Sequence, residues 1–413
     1  MGNMIGSGVF LLPASLSAYR GLSLAGWVVS AAGSVMLALV FARLARGFPE
    51  AGGPYAYTRE AFGDFPGFLI GWGYYFSTIS TLPALAVAFV GYLAPFIPGV
   101  VQSPGSAAVL AIAAIWVVVG VNVAGVSAAG RMQVVTTALK IVPLVLVGLG
   151  GLFFFRPDVF SMPATAERSA GQQLMATVTL TLWAFLGLEC ATIPAASVRD
   201  AARTIPRATV VGTLLAAVIY IVSTIGVMSL VSADQLAAST APFADGAERL
   251  FGAGAGRLVA LGAAISCLGA LNGWVLVAGQ FPMAIANDGL FPTLFGRLSG
   301  RGTPTQGMIM GGVLGTALVA MNYSRGLVDL FTFIILLATL STLVPYVFCS
   351  MAVWLIPNQP RPAGIAAVVS ALAFLYGMFA IAGAGAETVL YGFLWLLAGL
   401  PVYVWVRRAA APR

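Results

Sequence analysis

Residues 2–13 of the chain read GNMIGSGVFLLP, and the glycine pair around Ser7 bears most directly on the fold. The apolar segment that holds this stretch, residues 1–18, is too short for a comfortable membrane crossing. It also lacks the basic flank and the cleavage pattern of a signal peptide. Gly6 and Gly8 relax the backbone, so we expect a helix to break at this point.

The composition around this stretch indicates an integral membrane protein. The 413 residues include 20 Lys+Arg and 13 Asp+Glu, and no histidine. Charged residues therefore make up 8% of the chain, against roughly a quarter in soluble proteins. Hydrophobic residues reach 60%, and the mean hydropathy is +0.98. No segment is long and polar enough for a soluble domain, so we predict a single membrane domain over residues 1–413.

The same composition excludes or disfavours several functional classes. Without histidine there is no Ser-His-Asp triad and no imidazole metal ligand. Cys190, Cys267 and Cys349 lie far apart in apolar segments, which indicates core residues rather than disulfides or a metal pair. The arginines are scattered, so we expect no nucleic-acid partner. We predict no metal, no cofactor and no enzymatic activity, and a channel, which needs a ring of filter residues, is disfavoured.

Eleven further apolar segments follow at the spacing of membrane helices, which need about 20 residues each. We predict spans at residues 21–45, 66–97, 105–125, 132–155, 172–197, 208–231, 256–284, 306–322, 327–356, 364–384 and 387–406. With the N-terminal piece they make twelve helices: 1–5 over about residues 1–155, 6–10 over about 172–356, and 11–12 over about 364–406.

The arginines predict the orientation of these spans. If residues 46–65 face the cytoplasm, thirteen arginines fall on that side and six on the other. Such an excess marks the cytoplasmic side of a membrane protein. We therefore predict a multi-pass protein of the inner membrane, surrounded by the lipid bilayer, with a cytoplasmic C-terminus.

Two ionisable residues remain inside the predicted spans: Lys140 in the fifth and Glu189 in the sixth. A charge at membrane depth costs about 3 kcal/mol even on the lenient insertion scales, so it usually faces a cavity, a partner or a transport path. Both residues are therefore candidates for a functional role.

Gly187, close to Glu189, is a second candidate break, five spans after Gly6 and Gly8. Transporters with an inverted repeat of five helices place discontinuous helices at these two positions. The free N–H groups of one half-helix suit a carboxylate, and the free carbonyls of the other suit an ammonium group. We therefore predict an all-α, 12-helix inverted-repeat (5+5) fold with broken helices 1 and 6, which binds an amino acid or a similar molecule.

Six motifs in order along essentially the whole chain support this prediction. They are residues 2–13, Pro49–Tyr57 (PEAGGPYAY), Leu182–Glu189 (LWAFLGLE), Gly273-Trp274, Asp288–Pro292 (DGLFP) and Thr342–Tyr346 (TLVPY). Together they resemble the amino acid–polyamine–organocation (APC) transporters, and among these the basic amino acid/polyamine antiporters of the arginine/agmatine type.

The resemblance implies a substrate site between the two breaks. The residues that would hold the substrate are Ser7 and Gly8 for its carboxylate, and the carbonyls of Met4, Trp183 and Leu186 for its amino group. The gates would be Trp183 on the outer side, Trp274 in the middle, and an inner layer of Tyr74, Glu189 and Tyr346. A tryptophan face attracts a cation by about 0.5–2 kcal/mol, which suits a gate over a cationic substrate. A buried carboxylate can bind a proton or a cation, so Glu189 is the candidate coupling residue.

The chain departs from the antiporter pattern where that pattern holds a guanidinium group. Positions with an asparagine and small polar groups carry Leu82, Ala184 and Ala338 here, while Thr78 keeps some polarity. A guanidinium donor without its amide partner costs about 1–3 kcal/mol, so arginine selectivity is open.

Lys140 is a second departure, because the arginine/agmatine type has no lysine there. The neutral amino acid exchangers of the superfamily carry one in the fifth helix. In them the ammonium resembles a fixed replacement for a sodium ion and bridges the first and eighth helices. Two functions thus remain open: an antiporter of an arginine-like or other basic amino acid for its amine product, or a neutral amino acid exchanger or proton-coupled symporter.

The resemblance also implies a homodimer and a longer first helix. In the family, the half-helix before the break is several turns longer than the five residues present here. We therefore expect a mis-assigned start codon or a truncation, which in-frame coding sequence upstream would reveal.

Overall fold

The computed structural model describes residues 1–6, 8–161, 169–195, 198–239, 241–322, 327–357 and 359–410, and its regular elements there are all helices. The first half contains α1 (Gly8–Leu16), α2 (Gly21–Gly47), α3 (Pro54–Phe62), α4 (Asp64–Tyr92), α5 (Pro98–Val101), α6 (Pro104–Ala124), α7 (Val126–Leu152) and α8 (Ala170–Trp183). The second half contains α9 (Ala201–Leu230), α10 (Ala233–Ala237), α11 (Pro242–Phe251), α12 (Ala255–Asn287), α13 (Thr305–Asn322), α14 (Leu327–Ala352), α15 (Ile365–Gly383), α16 (Ala386–Ala398) and α17 (Leu400–Ala410).

Eight stretches of the described residues are long and apolar enough to cross a membrane. They are Gly21–Gly47, Asp64–Tyr92, Pro104–Ala124, Ser127–Leu152, Ala201–Leu230, Ala255–Asn287, Ile365–Gly383 and Ala386–Arg408. Three shorter apolar stretches accompany them: Gly8–Tyr19, Thr305–Ala320 and Leu340–Ala352. The prediction of an all-helical, multi-pass membrane protein is confirmed, and eight of the twelve predicted crossings have full-length helices by this measure.

Several helix ends lie more than three residues from the predicted span boundaries. α7 begins at Val126 rather than residue 132, and α9 begins at Ala201 rather than residue 208. In both, the helix includes arginines that precede the predicted apolar span, Arg131 in α7 and Arg203 and Arg207 in α9. α4 ends at Tyr92 rather than residue 97, because Pro95 has no N–H with which to extend the helix.

The chain leaves the helical conformation at both predicted breaks. α1 begins only at Gly8, after a run of turns over residues 2–6. The predicted span 172–197 is interrupted, as expected for a broken helix: α8 ends at Trp183, and turns lead into a 3₁₀ helix over Cys190–Thr192. Gly187 lies in these turns with φ +99°, a left-handed conformation that glycine adopts without strain.

α4 is the most enclosed helix of the bundle. It packs against α12 and α14 and also contacts α3, α6 and α13. Two of its buried hydroxyls bond within the helix: Thr78 donates to the carbonyl of Tyr74 at 3.0 Å, and Thr81 to that of Ser77 at 2.8 Å. The surrounding helices expose apolar side chains, among them Val28, Val117, Val134 and Val218. An apolar exterior of this kind suits a lipid environment.

Candidate substrate site

The first residue of α1 and the last residue of α8 are packed against each other inside the bundle. Trp183 is 5% exposed, and a Cβ added at Gly8 would stand 2.6 Å from Cε3 and Cζ3 of its indole ring. Glycine is therefore the residue that lets α1 start at this place. The first turn of any helix has N–H groups without helical partners, and the positive end of its dipole lies there. The structure thus puts an anion-attracting helix end directly beside an aromatic face.

Trp274, in α12, contacts the turns that precede α1. Its Nε1 donates to the carbonyl of Asn3 at 3.3 Å, and the side chain is buried. Asn3 also approaches two glycines closely: a Cβ at Gly273 would lie 2.0 Å from Asn3 Oδ1, and one at Gly187 would lie 3.0 Å from Asn3 Cβ. The segment before α1 therefore fits between α12 and the second break because both neighbours lack side chains.

Glu189 is the centre of a buried hydrogen-bond cluster that joins three parts of the chain. Tyr74 of α4 donates to Glu189 Oε1, and Tyr346 of α14 donates to Oε2. The N–H of Gly187 donates to Oε2 at 3.2 Å. The three side chains are fully buried, and the salt bridges of the described residues all lie elsewhere. The residues predicted for the inner gate are thus in contact, and the carboxylate is held by neutral donors.

Lys140, in α7, forms hydrogen bonds to the backbone of the turns that precede α1. Its Nζ donates to the carbonyl of Gly2 at 2.6 Å and to that of Ile5 at 2.5 Å, and it is fully buried. Ser266 of α12 donates to the same Ile5 carbonyl at 3.4 Å. The residue expected to bridge the first and eighth helices therefore bonds to the first segment directly and shares an acceptor with the eighth.

The carbonyls predicted to hold an amino group lie at the two breaks. Met4 accepts from the N–H of Gly6 at 3.0 Å, and Trp183 accepts from the N–H of Leu186 at 3.1 Å. A carbonyl oxygen has two lone pairs, so each of these retains one for an ammonium group. Ser7, predicted to bind the carboxylate, lies outside the described residues.

The residues predicted around the far end of the substrate are placed less favourably. Thr78 is buried with its hydroxyl bonded inside α4. Leu82 lies against α13, where Cβ atoms added at Gly311 and Gly315 would be 3.5 and 3.7 Å from it. Ala338 belongs to α14, but its side chain is outside the described part.

Leu85, which the sequence interpretation missed, faces the first break instead. Its Cδ2 would be 3.0 Å from a Cβ at Gly6. Residues Tyr74, Thr78 and Leu85 fall within about 40° of one another around the axis of α4, whereas Leu82 is about 60° away from Leu85. The helical periodicity alone could have identified this face.

A network of buried amides near Trp274 was also missed. Asn122 of α6 donates to Oδ1 of Asn272 in α12 at 2.9 Å. Asn272 in turn donates to the carbonyl of Ala129 at 2.9 Å and to Oε1 of Gln133 at 3.1 Å. A Cβ at Gly2 would be 2.1 Å from Nε2 of Gln133. Amides in apolar helices were the available signal, because each needs a partner when it is buried.

A cavity of about 300 Å³ adjoins this network at the end of the bundle where α9 begins. Its lining includes Asn3, Gln133, Gly187, Cys190, Asn272 and Gln280. The cavity therefore reaches the backbone of both breaks from one side. A small polar molecule or several waters fit a space of this size.

Ion pairs fasten α3 to its neighbours at one end of the bundle. Arg59 bonds to Asp64 at 2.9 Å and to Asp288 at 3.1 Å, and Arg407 of α17 reaches Asp64 at 3.2 Å. Tyr55 donates to Asp288 at 2.8 Å. Burial and this hydrogen bond raise the pKa of Tyr55 above its ordinary value, so the hydroxyl keeps its proton and remains a donor.

The described residues contain no group of three His, Cys, Asp or Glu side chains that could hold a metal. What they bring together is a helix end suited to a carboxylate, two tryptophans, spare carbonyls and one buried carboxylate. Such a site can bind an organic cation or an amino acid.

Comparison with known proteins identifies relatives over most of the chain. The family model described as amino acid permease matches residues 1–407. The chain is similar to the cadaverine/lysine antiporter of Escherichia coli (strain K12), with 36% identity over 353 residues, 84% of this chain and 79% of the relative. It is similar to the putrescine transporter PotE of the same strain, with 31% identity over 408 residues, 98% and 93% of the two chains. PotE of Haemophilus influenzae is 31% identical over 411 residues, 98% and 94%.

Proposed function

The chain belongs to the amino acid permease family of the APC transporters, and from this premise we propose that it is a secondary antiporter. It exchanges a basic amino acid for the amine that decarboxylation of that amino acid yields. Substrates cross unchanged by alternating access, in which one part of the helix bundle rocks against the other. The protein is therefore a carrier and not an enzyme.

The observation that carries this proposal is the buried Glu189 carboxylate with only neutral partners. Tyr74 and Tyr346 hold it from two helices, and no described basic residue forms a salt bridge with it. A charge buried without a counter-ion is unfavourable, so an incoming ammonium group or a proton gains free energy there. Trp183 and Trp274 supply aromatic faces that attract the same cation. These groups suit both members of an amino acid/amine pair, because both carry a side-chain ammonium.

The other end of an amino acid matches the helix breaks. Its carboxylate suits the first turn of α1 at Gly8, where backbone N–H groups have no helical partner. Its α-ammonium group suits the spare lone pairs of the Met4 and Trp183 carbonyls. Ser7 would add a hydroxyl to the carboxylate site, as the resemblance implies.

Lysine or a similar straight-chain substrate fits this site better than arginine. A guanidinium group carries five N–H donors in a rigid plane and needs several acceptors. Leu85 faces the first break and Leu82 lies against α13. Neither side chain has an oxygen that could accept a hydrogen bond from the guanidinium group. A primary ammonium is satisfied by one carboxylate and a few neutral oxygens. The names of the relatives, cadaverine/lysine antiporter and putrescine transporter, agree with this preference.

The proposed arrangement in the membrane follows the family. We propose that the chain forms one domain with twelve helices in a 5+5 inverted repeat, helices 1 and 6 being broken at α1 and α8. It lies in the inner membrane with its C-terminus in the cytoplasm, as the excess of arginines on that side indicates. A homodimer is the assembly that the resemblance implies.

A neutral amino acid exchanger or proton-coupled symporter is the second candidate. It is favoured by Lys140, whose ammonium donates to the Gly2 and Ile5 carbonyls, a position that a sodium ion would otherwise take. In the antiporter the same lysine has the same structural role: it fixes the first segment without sodium. The substrate panel below separates the two candidates.

Counterflow into proteoliposomes tests the proposal. The full chain is reconstituted, the vesicles are loaded with cadaverine or left empty, and uptake of labelled lysine is measured at acid and neutral pH. We expect saturable lysine uptake only in loaded vesicles. Putrescine should support exchange, while arginine, agmatine, leucine and methionine should be at least tenfold weaker. Failure of every cationic substrate would overturn the antiporter, and efficient leucine exchange would establish the second candidate in its place.

A further inference from the structure

A cleft lined by three arginines opens on the outer surface between α2, α9, the end of α14 and α15. Its volume is about 570 Å³. Arg43 and Arg46 come from the last turns of α2, and Arg207 comes from the second turn of α9. None of the other lining residues is acidic, and all of them except Ser370 are apolar. The cleft therefore has a basic rim, formed by the three arginines, and apolar walls.

These arginines are available for an external anion. The salt bridges of the described residues use Arg59 and Arg407, and none involves the three arginines of the cleft. Arg43 donates one N–H, from its Nη2, to the carbonyl of Pro360 at 2.6 Å, which fixes its guanidinium at the rim. A guanidinium has five donors, so four remain. Three such groups around one opening make a preorganised site for a phosphate.

The apolar walls face the lipid phase and not the substrate path. Leu39, Val211 and Ile365 are 41%, 54% and 83% exposed on the outer surface of the bundle. Val40 and Val353 form the buried floor. A volume of this size is typical of small-molecule sites, and an apolar groove beneath a basic rim matches the shape of a lipid with an anionic headgroup.

We propose that this cleft is a binding site for an anionic phospholipid, whose phosphate contacts Arg43, Arg46 and Arg207 and whose acyl chain lies along Val40, Val211 and Ile365. Arginine excess places the rim at the cytoplasmic leaflet, where anionic lipids give a negative surface. The bound lipid joins the end of α2 to the start of α9. This site is separate from the substrate site and does not depend on the transported molecule.

Native mass spectrometry of the purified full chain, titrated with phosphatidylglycerol or phosphatidylcholine, tests the site. We expect phosphatidylglycerol to bind at least tenfold more tightly. Arg207→Gln should weaken it about fivefold, which is ~1 kcal/mol per arginine near an anionic surface. The triple variant R43Q/R46Q/R207Q should weaken it about 100-fold. The matched control R199Q/R297Q/R301Q removes the same charge outside the cleft and should stay within twofold.

Two further arms separate the lipid from its headgroup. Ala366→Trp fills the apolar wall and should weaken phosphatidylglycerol at least tenfold, while glycerol 3-phosphate alone should compete poorly. Equal binding of phosphatidylcholine, an equal loss in the control triple variant, or no effect of Ala366→Trp would overturn the proposal. Competition by glycerol 3-phosphate at the affinity of the lipid would show a free-anion site and would also overturn it.

Discussion

Replacing Lys140 with methionine tests how the segment before α1 is held. The methionine is similar in length and apolar, so it fills the same space without donating to the carbonyls of Gly2 and Ile5. Hydrogen bonds from a charged donor contribute about 1.5–3 kcal/mol each, so losing two removes at least ~3 kcal/mol of docking free energy. This is about a 150-fold change in the ratio of docked to undocked segment.

Global stability should respond far less than docking does. The wild-type protein carries the desolvation penalty of a buried ammonium, which is several kcal/mol and disappears in the variant. That relief offsets the lost hydrogen bonds when the whole protein unfolds. The relief does not offset the lost hydrogen bonds when only residues 1–6 detach. In that case position 140 stays buried where α7 packs against α12, so its desolvation does not change. We therefore expect a Tm within a few degrees of wild type together with a loose first segment.

Hydrogen–deuterium exchange of the full chain in lipid nanodiscs measures the local effect. The amides of Ile5 and Gly6 donate to the carbonyls of Met1 and Met4, so they exchange when the segment opens. Their protection should fall about 150-fold in Lys140→Met. Counterflow should fall with it, since the segment leads directly into the start of α1.

The matched control is Leu139→Met, which introduces the same side chain one residue earlier at a position 46% exposed to lipid. It should leave both exchange and transport unchanged. Unchanged protection of residues 1–6 in Lys140→Met, within threefold of wild type, would refute the reasoning. Retention of full transport with a loosened segment would refute the link between docking and function.

Three more predictions concern the other contacts of the site. Glu189→Gln should lower lysine counterflow about 100-fold and abolish its pH dependence, because an unpaired buried ammonium costs about 3 kcal/mol; unchanged pH dependence would remove Glu189 as the coupling residue. Gly8→Ala puts a Cβ 2.6 Å from the Trp183 ring, about 1 Å inside normal contact, and should raise the KM for lysine, whereas Gly91→Ala, which meets nothing within 4 Å, should not. A double-mutant cycle of Arg59→Gln and Asp288→Asn should give a coupling below about 1 kcal/mol in thermal unfolding, since both side chains are 36% exposed; a larger value would contradict a solvent-screened pair.

The sequence predicted those parts of the fold that depend on the lipid environment. Few charges, apolar runs and two glycine-marked breaks all follow from the need to bury or bond every polar group in lipid. Helix ends were less predictable, because hydropathy identifies the apolar residues that lie in the bilayer, and a helix can extend beyond them. α7 and α9 begin before Arg131 and Arg207, next to which the predicted spans started, and only Pro95 gave a local signal for the early end of α4.

Sequence motifs predicted part of the site, and two of its features, Leu85 and the amide network at Asn272, were missed. Glu189 and Tyr346 were identified in quoted motifs and Tyr74 from the family resemblance, and the structure brings the three into contact. Leu85 shares a face of α4 with Tyr74 and Thr78, so helical periodicity could have selected it in place of Leu82. The amide network joins Asn272 to Asn122, Ala129 and Gln133, which lie 139–150 residues away in the chain, so no local spacing in the sequence indicates it.

The two buried ionisable groups explain why the protein should exchange rather than release substrate freely. Lys140 is stabilised by carbonyls of the chain itself, so its charge is accommodated whether or not substrate is present. Glu189 accepts hydrogen bonds from hydroxyl and N–H donors and has no described counter-ion, and we propose that the empty carrier holds it as an uncompensated carboxylate. Rocking the bundle around that charge is unfavourable unless an ammonium group or a proton neutralises it. Amino acid and amine share the ammonium that does so, whereas only the amino acid uses the first turn of α1. We therefore propose that return with the amine needs Glu189 and not the carboxylate site, so that one carboxylate is required in both half-cycles.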